Sequence, residues 1–281
     1  MTQQLIGGVG TPPQTRLSPP QQVLKYAAVV LLAASGLIIF AFQLLPLGYP
    51  LLAASIVCGF IAARALGRDL SLIASGVLIM SLVPITTDIS WEHMTLMGAA
   101  MIAAIAVPYL GSRYLFRDHA VRFPIRTGMK WTRFEWGWLI AVVVLGYLIL
   151  PFYMIRTGVY MNWPAADDAS SIGRLFLGTN ALDIWDELFF ICTVFALLRR
   201  HYPDAVAMVA QAVLFTSFLW ELGFTAWGPL LIFPFALVQA YTFKLTKSLS
   251  YVVTVHLLFD FILFLVLLHA HDRNVVPIFF Y

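Results

Sequence analysis

Charge is what this sequence has least of. Only 11% of its 281 residues are Asp, Glu, Lys or Arg, where a soluble domain of this size carries about a quarter. So little polar surface cannot coat a water-facing globule, and a mean hydropathy of +0.87 makes lipid the expected solvent. Cysteine is nearly absent as well. Cys58 and Cys192 both lie in apolar runs, which excludes a disulfide framework and a metal-spaced Cys pair and leaves them as small buried hydrophobes. A formal charge of only +3 excludes nucleic acid as a partner. The N-terminus has no charged, apolar and small-residue succession of the kind a signal peptidase cuts, so the first helix is expected to stay in place.

What is abundant is apolar and aromatic. Nine hydrophobic stretches follow a Pro- and Gln-rich segment, residues 1–23, expected as a disordered cytoplasmic tail. Judged against the roughly 20 residues that cross a bilayer, they run over 25–46, 49–66, 70–87, 93–112, 135–155, 175–198, 203–223, 227–245 and 248–270. The expected fold is an all-α polytopic bundle of nine transmembrane helices, read as helices 1–5 over 24–157 and helices 6–9 over 158–281. With the N-terminus inside, Arg156, Arg174 and Arg273 are the only basic residues on the outer side, and the other fourteen fall inside. The bias recurs loop after loop, as the positive-inside rule requires, and an odd count then puts the C-terminus outside. The expected setting is an integral position in a bacterial plasma membrane. The basic, aromatic inner loop 113–134 is read first as a topological anchor, with membrane lipids as neighbours. His93, His119, His201, His269 and His271 fall at helix ends or in loops and are read as solvated.

Five acids stand out because they fall inside spans: Asp183, Asp186, Glu187, Glu221 and Asp260, joined by His256. An ionisable residue at bilayer depth costs about 2.5–3.5 kcal/mol or more and normally faces the bundle interior. Spacings of three and four place Asp183, Asp186 and Glu187 on one helical face, continued outward by Asn180; His256 and Asp260 share a face of the ninth helix. Glu221 needs a third helix to deliver it. Carboxylates this close require protons or a cation. For a single acid such as Asp183, a bond to a neighbouring backbone is an equally good reading. The aromatics around Trp185, Phe189 and Phe190 read as packing.

Three segments resemble the motifs of the CPBP intramembrane protease family, the CAAX proteases and bacteriocin-processing proteins. DELFFICTVFALLRRHYP at 186–203 is similar to the Glu-Glu motif and its basic turn. SFLWELGF at 217–224 resembles the Phe-x-x-x-His motif, and KLTKSLSYVVTVHLLFD at 244–260 the His-x-x-x-Asn motif. The resemblance spans about residues 175–265 and implies a catalytic set of Asp186, Glu187, Glu221, His256 and Asp260, with Glu187 activating water. Two positions depart from it: Ile191 stands where the motif has Arg, and Glu221 where it has His, with Ser217 in place of Phe. The more negative set that results suits a divalent metal on Glu187, Glu221, His256 and Asp260. The expected function is an intramembrane endopeptidase acting on membrane-associated peptides or protein termini. The alternatives are a non-catalytic protein that binds or scaffolds a membrane partner and, less favoured, proton- or cation-coupled transport. At 1.5 Å per residue, Glu221 lies roughly 27 Å from the inner end of its helix and His256 roughly 12 Å from its own, so the two meet only if their helices are tilted, broken or offset.

Overall fold

The computed structural model describes residues 17–125 and 130–280. Nine helices account for most of them: α1 (Pro19–Ala41), α2 (Leu45–Ala62), α3 (Arg64–Met80), α4 (Trp91–Leu115), α5 (Arg133–Thr157), α6, α7 (Asp204–Leu222), α8 (Gly228–Thr246) and α9 (Leu249–His271). Helix α6 runs from Ala169–Asp186 through a π-helical stretch, Glu187–Phe195, into a short turn, Ala196–Leu198. No strand occurs among the described residues.

Helix boundaries follow capping chemistry. Thr132 and Glu135 form a reciprocal box at the start of α5, and Gly158, at φ +73°, ends that helix in the left-handed region. Asp168 accepts from the backbone of Ser170 and Ser171 to open α6, and Ser248 accepts from Tyr251 to open α9. At the start of α1, Ser18 pairs with Gln21 and two prolines occupy the first turn. Residues 19–23 are therefore helical and not part of the expected tail; residues 1–16 of that tail lie outside the described residues, as do 126–129 of the inner loop.

Seven helices are long and apolar enough to cross a membrane. The other two are α3, which has 17 residues and carries Arg64, Arg68 and Asp69, and α6. Helix α6 is exempt from the hydropathy rule for a structural reason. Its π-helical stretch touches α3, α4, α7, α8 and α9, and apart from Leu188 every side chain in it is buried. Around it, α1 packs on α2, α2 on α3 and α3 on α4, while α5 lies along α9 and α7 along α8. Gly76 of α3 permits a close approach: a Cβ there would collide with the Phe189 ring of α6 and the Ala104 carbonyl of α4.

Loops sort to two ends as the nine-span reading requires. At one end Thr87 donates to the Asn162 carbonyl, Asn162 to that of Gly223 (2.6 Å) and Tyr153 to that of Thr225 (2.8 Å). At the other, Tyr202 donates to the Lys25 carbonyl (2.7 Å), and the Leu249 amide bonds Pro124 (3.0 Å). This second end is the basic one, and it holds a charge network absent from the sequence reading. Asp69, 3% exposed, accepts from Arg200 (2.9 Å) and pairs with His201 (2.7 Å), while Arg200 also holds Asp118 (3.0 Å). His201 is thus a partner of a buried acid and not simply solvated. At the opposite end His269 is buried, its Nδ1 2.8 Å from the Val276 carbonyl, and His271 lies 3.1 Å from that of Trp163. Burial tends to raise the Asp118 carboxyl, but Ser112, the Ala120 amide and Arg200 together hold it below the usual carboxylate range.

Candidate active site

The structure brings four of the five intramembrane acids together with His256. Asp183, Asp186, Glu187 and His256 are each 4% exposed or less, and Asp260 is 8% exposed. Asp183 and Asp186 close the α-helical part of α6, and Glu187 opens its π-helical part; π turns recur at functional sites because they re-aim side chains. Trp185 fixes the rotation of this turn. Its indole N–H donates to the Met101 carbonyl of α4 (2.8 Å), and its ring stacks on Phe189 (5.2 Å between centroids, 12° between planes). The aromatics here are packing, as expected.

His256 of α9 lies between two rings, Phe235 of α8 and Phe215 of α7, with centroids 5.1 and 6.1 Å away. Its Nδ1 stands 3.0 Å from Glu187 Oε1, and its Nε2 3.8 Å from Asp183 Oδ1. The Gln239 amide of α8 donates to the same Glu187 oxygen (2.7 Å) and to the Val252 carbonyl (3.2 Å). Glu187 Oε1 therefore accepts twice, and the imidazole serves it as an Nδ1–H donor. Glu187 Oε2 and Asp186 Oδ1 are buried without a hydrogen-bond partner among the described residues, while the Asp183 carboxyl pairs with that of Asp260. Ligand atoms of Asp183, His256 and Asp260 all lie within 4.8 Å of one another.

A cavity of about 40 Å³ adjoins this cluster, touched by Asp186, His256 and Asp260 and closed by Tyr153, Leu219 and Phe235 among others. It has room for water, since roughly 10–15 Å³ on this measure suffices for one molecule. Leu182 lines this cavity and also a larger apolar groove of about 330 Å³ between α4 and α6. That groove carries Ile102 and Ile184, which are well exposed on the outer surface of the bundle.

Glu221 is not part of the cluster. It lies one residue before the end of α7, beside Gln43 and the backbone of Ile85, among the outer loops. The depth argument agrees: Glu221 sits at the outer end of α7, whereas His256 lies in the inner half of α9. The helix instead offers the cluster Phe215 and, at the cavity, Leu219. Asn180 bonds within its own helix, donating to the Phe176 carbonyl (2.7 Å). Conversely, Gln239 and Asp183 hold places in the site that the motif comparison did not assign. Gln239 was detectable as a polar residue in the middle of α8, but a search restricted to ionisable groups passes over it.

Among known proteins, residues 169–262 match the family described as type II CAAX prenyl endopeptidase Rce1-like. That stretch starts with α6 and ends past Asp260, and it contains every residue of the cluster. No curated protein and no solved structure matches the chain. Helices α1–α5 lie outside the matched region; through α6–α9, where the buried acids meet His256, the chain is similar to the type II CAAX prenyl endopeptidases of the CPBP family.

Proposed function

We propose that the protein is an intramembrane endopeptidase that hydrolyses membrane-associated peptides or protein termini with a carboxylate-activated water. The observation that carries this reading is the buried Glu187–His256 pair set beside a water-sized cavity faced by Asp186 and Asp260. Glu187 is held by His256 and Gln239 through one oxygen, which leaves Oε2 to take a proton from water. Asp186, one of the two acids that face the cavity, positions that water. The hydroxide equivalent attacks the peptide carbonyl, the proton passes to the leaving amine, and the C–N bond breaks. His256, once protonated, is the donor at the cavity nearest the developing oxyanion. The apolar groove between α4 and α6 suits a substrate arriving from the bilayer, and Leu182 is the partition it must pass. The proposed setting is a bacterial plasma membrane with the basic loops inside.

One observation favours a second reading, a non-catalytic protein that binds a membrane partner. Where the family's second motif has His, this chain has Glu221, and the α7 side chains that meet His256 and its cavity, Phe215 and Leu219, are apolar. The two readings part in one experiment. Purified protein is incubated in proteoliposomes with a library of membrane-anchored peptides, alongside Glu187→Gln. Hydrolysis is expected from the wild type and a loss of about 10²–10⁴-fold from the variant. Equal products from both, or a partner that co-purifies equally with both while no peptide is cut, favours the second reading.

A further inference from the structure

The buried cluster is packed shut on its inner side and bordered by open space on its outer side. Toward the basic, inner end, Gln239, Ala240, Val252 and Val255 are each 2% exposed or less. The Tyr251 hydroxyl donates to the Glu135 carbonyl of α5 (2.8 Å), and the Leu249 amide at the start of α9 is tied to the Pro124 carbonyl of the inner loop (3.0 Å). Toward the outer end, the cavity at Asp186, His256 and Asp260 is walled by Leu219, Phe224 and Leu231. These lie in the last turn of α7, just beyond it, and in the first turn of α8. The groove between α4 and α6 runs the same way. Its deep end, at Ile105 and Leu188, is apolar, and its mouth, at Thr86, Asp88 and His93, is polar and lies at the outer loops. Groove and cavity are one side chain apart: Leu182 lines both, and Trp163 of the groove meets Phe224 of the cavity edge to face (4.8 Å).

We propose that the site is served from the outer leaflet: its substrate is a peptide whose apolar anchor lies in the α4–α6 groove and whose polar chain stays on the outer side. The inference rests on the hydrolytic reading of the cluster and adds the side from which peptide and water arrive. Depth alone would argue the opposite, since only about 10 Å of α9 separates Leu249 from His256. Packing overrides depth. A peptide drawn through the inner half would leave its N–H and C=O groups among close-packed, mostly apolar side chains, at several kcal/mol for each unpaired group. On the outer route an apolar floor receives the anchor, and Ile102 and Ile184 open that floor sideways to lipid, so the anchor enters without leaving the bilayer core. Where the chain emerges, Thr86, Asp88 and His93 offer polar atoms to its main chain. An apolar trough with a polar mouth at one end suits an amphipathic chain, and its continuity with the cavity through Leu182 points that chain at the cluster.

Spheroplasts and inverted vesicles from a bacterium expressing the protein present its outer and inner faces separately. The probe is the library of membrane-anchored peptides, each carrying a lysine-rich polar chain. Because such a chain does not cross a bilayer, cleavage is expected to be about tenfold or more faster in spheroplasts than in inverted vesicles, and detergent should abolish the difference. Equal rates before detergent, or faster cleavage from the inner face, overturn the proposal. Docking is read apart from hydrolysis with Met94→Cys, which places a thiol on the groove in the first turn of α4, in a Cys58→Ala background. A membrane-impermeant maleimide should label it in spheroplasts and not in inverted vesicles, and the peptides should block that labelling. Labelling from the inner face alone, or labelling that the peptides leave unchanged, overturns the outer docking. Protection without cleavage would keep the outer docking and overturn the hydrolytic reading, while cleavage confined to the inner face would keep the enzyme and overturn the side.

Discussion

Asp69 and Glu187 meet the same difficulty, a carboxylate without water, in two ways. Asp69 is neutralised outright by Arg200 and His201 and ties α3 to the turn after α6. Glu187 receives only polar hydrogens, from Gln239 and His256, and keeps one oxygen without a partner. The first is an anchor and the second a site, and mutation should separate them. Asp69→Ala takes a buried carboxylate from Arg200 and His201 and is expected to cost about 3 kcal/mol, the low end for a broken buried pair because Arg200 reaches solvent and keeps Asp118; thermal denaturation in detergent reads this. Glu187→Gln should leave the melting temperature within a few degrees while removing hydrolysis. Asp118 adds a pH dependence. Its folded pKa is depressed from 3.8, so its contribution is complete above that value and disappears as pH falls through the lower, folded value. Melting temperatures compared at pH 6 and below pH 3.8 should therefore fall, and less steeply in Asp118→Asn.

Helix α6 decides what the bundle can do, because its π-helical stretch touches five other helices and presents its acids at the centre. Much of this element was legible in the sequence. Spacings of three and four placed Asp183, Asp186 and Glu187 on one buried face, and His256 and Asp260 on another. The widening after Asp186 was not legible, since i+5 bonding leaves no signature in residue type. Neither was the exclusion of Glu221, which depends on how far along its helix an acid sits and not only on which face it occupies. Motif alignment put Glu221 in the site; counting residues from the inner end argued against it, and the structure agrees with the count. The groove between α4 and α6 belongs to this scale too. Gly98 lines it with open space around its Cα, so Gly98→Trp should fit without strain and fill the channel. We expect kcat/KM for membrane-anchored peptides to drop at least tenfold with little change in melting temperature; unchanged kinetics would mean that substrate enters elsewhere.

For the whole molecule, nine apolar stretches and one-sided basic loops sufficed to give the helix count and to sort the loops to two ends, because lipid leaves the backbone no choice but helix. The inner charge network was invisible beforehand: Asp69, Asp118, Arg200 and His201 are separated by up to 132 positions and meet only through packing. The central claim remains chemical, that water activated beside Glu187 cuts a peptide bond inside the bundle. Its most direct test is hydrolysis of a membrane-anchored peptide in ¹⁸O-water, with both products analysed by mass spectrometry. The account predicts one ¹⁸O atom in the new carboxylate from the wild-type protein and no new terminus from Glu187→Gln. A product formed without solvent oxygen, or formed equally by the Gln variant, would contradict it.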